Sequence, residues 1–314
     1  MVQVDLITGF LGAGKTTFLR RYVRYLVAQG HNVCILENDF GAVNVDAMLV
    51  QDLLGPNCDL ETISGGCDCD THQRRMRTKL IAMAMRGFDR VVVEPSGIFD
   101  VDEFFDVLRD DPLDRWYHIG NVITIVDAML PETLSPQAEY VLASETANAG
   151  RVLVSRTQLA GQQQTAAAVA HLTRALEGCK CSRRFAPEEI MTKDWARLTD
   201  ADLAAIAACG CRQASCEKLH FDEHEAFSSL CFLEQHLTLQ QLKAAADHLF
   251  ADAACGHVLR VKGFAPDPQG TTGWLELNAT AAGRTLEPIP QGQDVLIVIG
   301  EGLDKAAIEA RLKA

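Results

Sequence analysis

Four short β-branched runs, Val2–Thr8, Asn32–Glu37, Arg90–Glu94 and Asn121–Asp127, are nearly continuous in apolar residues instead of alternating. Strands covered on both faces read this way, so the pattern predicts a parallel sheet. A fifth run, Arg151–Val154, follows another helical stretch. Between the first two runs, Lys15–Gln29 carries Phe18, Leu19, Tyr22, Val23 and Leu26 as a helical stripe, with Arg20, Arg21 and Arg24 facing away and Gly30 as the stop. Strand and helix in alternation predict an α/β fold with a mostly parallel, doubly wound sheet. After about residue 200 the texture changes. An alanine-rich helical stretch and the segment Cys209–Cys216 precede the strand-like Val258–Phe264, Trp274–Asn278 and Asp294–Ile299 and a closing helix in Leu303–Lys313. The expected organisation is a domain over residues 1–200, a cysteine-containing linker over 201–218 and a small α+β domain over 219–314.

Composition narrows the classes of function. Of 314 residues, 48% are hydrophobic and 23% charged, which excludes a disordered or collagen-like chain. No run of eighteen apolar residues and no signal-peptide pattern at the N-terminus are present, so a cytoplasmic protein is expected. A net charge of −13 opposes nonspecific binding to nucleic acid or anionic lipid. An anionic ligand therefore needs a local device. Eleven cysteines, an odd number without an export signal, argue for reduced thiols rather than a disulfide framework.

Gly9-Phe10-Leu11-Gly12-Ala13-Gly14-Lys15-Thr16 supplies that device, because it fits G-x-x-x-x-G-K-[ST] between a predicted strand and an amphipathic helix. Its glycines let backbone N–H groups turn onto phosphate oxygens, and the helix N-terminus adds partial positive charge. Lys15, expected to stand exposed where loop meets helix, reaches the β- and γ-phosphates, and Thr16 ligates Mg²⁺. Val91-Val92-Val93-Glu94-Pro95-Ser96-Gly97 offers an apolar strand ending in an acid. Glu94 is the candidate to hold Mg²⁺ through water or to orient the attacking water, and the Gly97 amide the candidate sensor of the γ-phosphate. Glu37-Asn38-Asp39-Phe40-Gly41, with Asp46 beyond, ends the second strand at the edge where ligands gather in such sheets. Asp127 ends a strand at the same edge, where helix capping explains it equally well.

Gly65-Gly66-Cys67-Asp68-Cys69-Asp70-Thr71-His72 offers two thiols, two carboxylates and an imidazole within six positions, a mixture that borderline-soft divalent metals accept. Thr71 is read as the cap of a helix bearing Met76, Leu80, Met83 and Ala84 on one face. Cys179, Cys181, Cys209, Cys211 and Cys216 match no common structural zinc spacing and read as packing thiols. His220 and His224 read as an exposed acidic turn, and Arg74, Arg75 and Arg77 as a solvated helix face whose rival role is contact with phosphate or a partner.

Together, GFLGAGKTT (with Thr17 closing it), ENDFG, GCDCD, EPSG and VDA resemble the CobW-type P-loop GTPases, relatives of the urease and hydrogenase nickel-maturation GTPases. Val258–Phe264 and Val295–Gly300 are similar to that family's small second domain. The resemblance implies GTP or ATP with Mg²⁺ and slow hydrolysis acting as a switch. It also implies delivery of a metal or metallocofactor to a client metalloenzyme or maturation protein, and nucleotide-dependent homodimers. The metal, zinc, cobalt or nickel, would lie at Cys67, Cys69 and Asp70 with Glu37. Two departures stand out. Asp70 replaces the third cysteine of Cys-x-Cys-Cys, a harder oxygen for a soft sulfur. Ser155-Arg156-Thr157-Gln158 stands where the family reads guanine with Asn-Lys-x-Asp, and neutral Gln158 cannot accept two hydrogen bonds from guanine as a carboxylate does. Arg156 retains the capacity to stack on a base. The rival function is a nucleotide-gated docking protein with no metal cargo and negligible hydrolysis.

Overall fold

The computed structural model describes residues 1–39, 46–64, 69–97, 101–214, 216–217, 226–270 and 273–312, with the backbone alone at positions 38, 39, 46, 47, 64, 69, 70, 72 and 103. Two compact units emerge, Met1–Leu219 and His220–Ala314.

The first unit is built on β1 (Val2–Thr8), β2 (Val33–Asp39), β3 (Cys58–Ser64), β4 (Arg90–Pro95), β5 (Tyr117–Asp127), β6 (Arg151–Ser155) and β7 (Ile190–Met191). They form one sheet in the order β3-β2-β4-β1-β5-β6-β7, with every pairing parallel. Parallel neighbours need crossovers, and the helices supply them: α1 (Lys15–Ala28), the short α2 (Asp46–Leu49), α3 (Cys69–Arg86), α4 (Val101–Arg109), the short α5 (Leu113–Trp116), α6 (Pro136–Ala147) and α7 (Thr157–Gly178), with α8 (Asp200–Ile206) following β7. Phe18, Leu19, Tyr22, Val23 and Leu26 of α1 are fully buried against Ile7, Ile35, Val92, Ile123 and Leu153 of the strands. Gly30, at φ 89°, turns the chain out of α1 while its amide bonds Val27 O.

A polar cluster lies inside this layer. Asp5, wholly buried midway along β1, accepts from Tyr22 Oη at 2.8 Å, from Arg90 Nη1 at 2.6 Å and from both nitrogens of Asn121 at 2.9 Å. Burial and the Asp5 charge push the Tyr22 phenol well above its ordinary pKa.

Several expectations change. α3 begins at Cys69, so Thr71 sits inside the helix rather than capping it. Arg21 does not face solvent, because its guanidinium donates to Trp195 O and, at 2.6 Å, to Leu198 O. Cys181 and Cys216 are joined as a disulfide and are not free thiols. Chain topology brings them together: the Glu217 amide bonds Cys179 O at 2.9 Å and Lys180 pairs with Glu217 at 2.7 Å, which fixes residue 216 beside the end of α7. Residues 200–206 form a helix whose Leu203 and Ile206 join the core around α1.

The second unit is an antiparallel sheet ordered β11-β10-β9-β12-β8, from β8 (Ser228–Leu233), β9 (His257–Pro266), β10 (Trp274–Thr280), β11 (Gly283–Ile289) and β12 (Val295–Glu301). One face carries α9 (Leu239–Ala251) and α10 (Lys305–Leu312), with Leu242, Leu249, Val261, Leu277, Val298 and Ile308 in a common core. Gly263 makes that closeness possible, since a methyl there would stand 2.6 Å from a Leu242 methyl. Among the described residues no helix is long and apolar enough to cross a membrane.

Candidate functional site

The loop between β1 and α1 is shaped by its glycines. Gly9, Gly12 and Gly14 have φ of 140°, 74° and 103°, a region that side chains strongly disfavour. A methyl on Gly9 would also lie 2.3 Å from Ile125 O, so only glycine passes there. Ala13 donates to Phe10 O at 3.1 Å and closes the turn, while Phe18 N bonds Gly14 O to open α1. Thr17 is exposed on the first turn of that helix.

Lys15 is buried at 6% exposure rather than standing free, with Nζ donating to Gly9 O at 2.8 Å across the loop. Among the described residues the ammonium is held by one neutral acceptor, which a phosphate oxygen would outbid as a charge-assisted partner. Thr16 Oγ1 donates to Glu94 Oε1 at 2.7 Å, joining the start of α1 to the end of β4. A hydroxyl and a carboxylate oxygen converging beside the phosphate loop are the hard donors that Mg²⁺ takes, so these residues fit that ion.

Glu37 lies beside Glu94. The two are register partners in the β2–β4 ladder, and both are buried, at 2% and 5% exposure. Parallel register partners project to one face with Cα atoms about 5 Å apart, so two carboxylates share the sheet's C-terminal edge. Gly97 follows on the same side. A methyl on it would stand 2.7 Å from Leu11 N and 2.9 Å from Lys15 Nζ, which places the end of β4 directly against the phosphate loop. Gly97→Ala is expected to cost about 1–3 kcal/mol of local fit, felt as about 5- to 150-fold weaker triphosphate binding in a fluorescent-nucleotide titration. Equal affinity would show that Gly97 is not part of the site.

Ser155, Arg156 and Gln158 meet the loop from β6 and α7. Ser155 is buried, and its Cβ lies 3.8 Å from where a Gly14 methyl would sit. Arg156 adopts φ 54° as it leaves β6, forming an ion pair with Asp127 and donating to Gly12 O at 2.9 Å. Gln158 is exposed on the first turn of α7. Asp127, unassigned from sequence, is thus the anchor of Arg156; burial raises its carboxyl above the usual range, with the Arg156 charge opposing. Trp195 was not foreseen at all. Its ring packs 3.6 Å from the Gly14 methyl position and 5.5 Å from the Phe18 ring, and Arg21 holds its carbonyl. Trp195 stands alone among polar residues, distant in sequence from the phosphate loop and from Ser155–Gln158, and carries no signal of that contact.

The side chains of Cys67, Asp68, Cys69, Asp70 and His72, together with Phe40, Gly41, Asp46, His220 and His224, lie outside the described residues. Among the described residues no group of three or more His, Cys, Asp or Glu is placed to hold a metal ion.

A sequence profile described as CobW/HypB/UreG, nucleotide-binding domain, matches residues 3–182. Over 173 residues the chain is 31% identical to the zinc chaperone YjiA of Escherichia coli, covering 52% of each chain. It is 30% identical over 131 residues to the zinc chaperone YeiR of the same organism, covering 41% of this chain and 39% of that one. With the zinc-regulated GTPase metalloprotein activator 1 of Schizosaccharomyces pombe it shares 26% identity over 164 residues, 50% of this chain and 39% of that one. The matched part spans about half the length of YjiA and less of the other two. Among solved structures, the Zn(II)-bound YjiA GTPase from E. coli is similar over 99% of this chain and 98% of its own, at 22% identity and a TM-score of 0.39. With its phosphate loop, its Thr16–Glu94 contact and a profile match across more than half its length, the chain belongs to the CobW/HypB/UreG family of P-loop GTPases.

Proposed function

We propose that the protein is a slow, Mg²⁺-dependent GTP hydrolase whose nucleotide state governs a divalent transition-metal site, from which the metal passes to a client metalloprotein. The observation that carries this reading is the meeting of Thr16, Glu94 and its register partner Glu37 at the phosphate loop. Lys15 would leave Gly9 O for the β- and γ-phosphates, and the loop amides would hold the β-phosphate. Thr16 and Glu94 would hold Mg²⁺, which supplies charge neutralisation during phosphoryl transfer. Gly97 would bring its amide to the γ-phosphate, so that the end of β4 follows the nucleotide.

The transition metal would be held by Cys67, Cys69 and Asp70, with Glu37 as the link to the nucleotide. Zinc is the favoured ion, because relatives similar over 52% and 41% of this chain are named zinc chaperones; cobalt and nickel suit the same donors. Asp70 in a third ligand position would loosen the site toward harder ions. Arg156, fixed by Asp127, would stack on the base. Gln158 would leave guanine preferred over adenine by less than about a hundredfold, well short of what a fully hydrogen-bonded base site reaches.

The test is metal content and GTP turnover measured together. Wild-type protein purified without an affinity tag is expected to carry one zinc per chain under reducing, metal-replete conditions and to hydrolyse GTP with Mg²⁺. Cys67→Ala and Cys69→Ala are expected to lose the zinc while keeping nucleotide binding. Turnover without stoichiometric metal would overturn the cargo; metal without turnover would overturn the switch.

A further inference from the structure

We infer that the outer edge of β3, with the face of α3 beside it, is a docking groove for an extended acidic segment of a partner chain, the client in the reading above. β3 ends the seven-stranded sheet, and among the described residues no strand pairs with its outer side. Edge backbone of this kind is a template for a further strand, and proteins usually blunt it. The blunting is confined to the start of the strand: Cys58 exchanges backbone hydrogen bonds with Gly55 at 3.0 and 3.2 Å, and the Leu60 amide is taken by the neighbouring Asp59 carboxylate at 2.8 Å. Backbone groups two residues on, at Thr62, point the same way by the alternation of a strand.

Beside that stretch lies a groove of about 530 Å³ lined by Thr62 and Ile63 of β3 and by Thr71, Arg74, Arg75, Thr78 and Lys79 of α3. The helix residues recur at spacings of three and four, so they form one face, while Met76, Leu80 and Met83 are buried on the other. Arg77 is not part of it, since it pairs with Asp110 at 3.3 Å. Lys79, part of the lining, pairs with Glu61 at 2.7 Å. Arg74 is exposed, and its guanidinium has no partner among the described residues.

Charge complementarity selects the occupant. In a chain of net charge −13, a groove walled by cations and hydroxyls attracts carboxylates. A second copy of this chain would present its own β3, but Asp59 and Glu61 there are already paired with Arg86 and Lys79. An unrelated acidic strand brings free carboxylates and gains main-chain hydrogen bonds by strand addition. Its place is informative too, because Thr71 lies two residues after Cys69, a chain distance of at most about 7 Å. A segment seated here would end next to the proposed metal ligands.

The probe is a fluorescein-labelled heptapeptide alternating threonine and glutamate, titrated by anisotropy into the full chain with GDP and Mg²⁺. Saturable binding below about 1 mM is expected. Arg74→Glu should weaken it at least tenfold, as should raising salt from about 50 to about 250 mM. A lysine-for-glutamate peptide should not bind, and methylating alternate peptide amides along one edge should weaken binding about tenfold, because strand addition needs those donors. No saturable binding, or equal binding to Arg74→Glu, would overturn the groove. Full binding whichever edge's amides are methylated would overturn strand addition, and a dimer dispersed by Arg74→Glu would make the occupant a second copy. Arg74→Glu is expected to keep wild-type GTP affinity and zinc content. Loss of those in wild type, with peptide binding intact, would sink the switch and leave the groove standing.

Discussion

Lys15→Ala is expected to abolish GTP hydrolysis and to weaken triphosphate binding by a hundredfold or more. Among the described residues Nζ bonds one neutral partner, Gly9 O, and it lies close to Gly97. Its charge therefore has its strongest partner in a bound phosphate, and a hydrogen bond to an ionised group contributes about 1.5–3 kcal/mol before any gain specific to the transition state. The fold should survive. The substitution deletes one buried hydrogen bond together with the buried charge that required it, so the apo thermal midpoint should fall by no more than a few degrees. Isothermal titration with a nonhydrolysable triphosphate and phosphate-release kinetics give both numbers. Unchanged affinity and turnover would refute the phosphate-loop assignment.

Asp5→Ala should do the reverse, lowering stability sharply without touching the nucleotide site directly. Asp5 gathers a guanidinium, a phenol and two nitrogens of Asn121 within a wholly buried cluster. Removing it strands the Arg90 charge, which is only 13% exposed, and takes the acceptor from the Tyr22 hydroxyl, from both nitrogens of Asn121 and from the Gln3 amide. Breaking one side of a buried ion pair costs about 3–5 kcal/mol. For a domain of this size that lowers the midpoint by about 10 °C. Asp52→Ala is the contrast. Asp52 also meets two arginines, Arg20 and Arg24, but it is 39% exposed, so solvent screening keeps the loss below about 1 kcal/mol. Differential scanning calorimetry of the two variants separates the cases, and equal shifts would contradict the burial argument.

The strands that the apolar pattern announces, β1, β2, β4, β5 and β6 in one sheet and β9, β10 and β12 in the other, are all interior strands. Those it passes over, β3, β7, β8 and β11, are the four sheet edges. An interior strand is paired on both sides, and in the first sheet it is covered on both faces, so its side chains must be apolar. An edge strand is under no such demand. β3 reads CDLETIS because Asp59 and Glu61 face the cations Arg86 and Lys79 of α3, and β7 is only two residues long. The phosphate loop was legible for a related reason: its requirement for glycine at Gly9 and Gly14 is a backbone requirement, written directly in the chain. The Arg156–Asp127 pair and the Trp195 contact were not, because each depends on which strands become neighbours. The thiol pair Cys181–Cys216 is of the same kind, created by where α7 ends and not by spacing.

In the proposed switch the nucleotide and metal sites are coupled through Glu37, the register partner of Glu94, and through Glu94 on Thr16. The direct measurement is zinc affinity, by competition with a chromophoric chelator, in the nucleotide-free, GDP-bound and nonhydrolysable-GTP-bound protein. The expected result is a difference of about 5- to 150-fold between the GDP and triphosphate states, with zinc shifting triphosphate affinity by the same factor, as linkage requires. Zinc bound with equal affinity in all three states would contradict it.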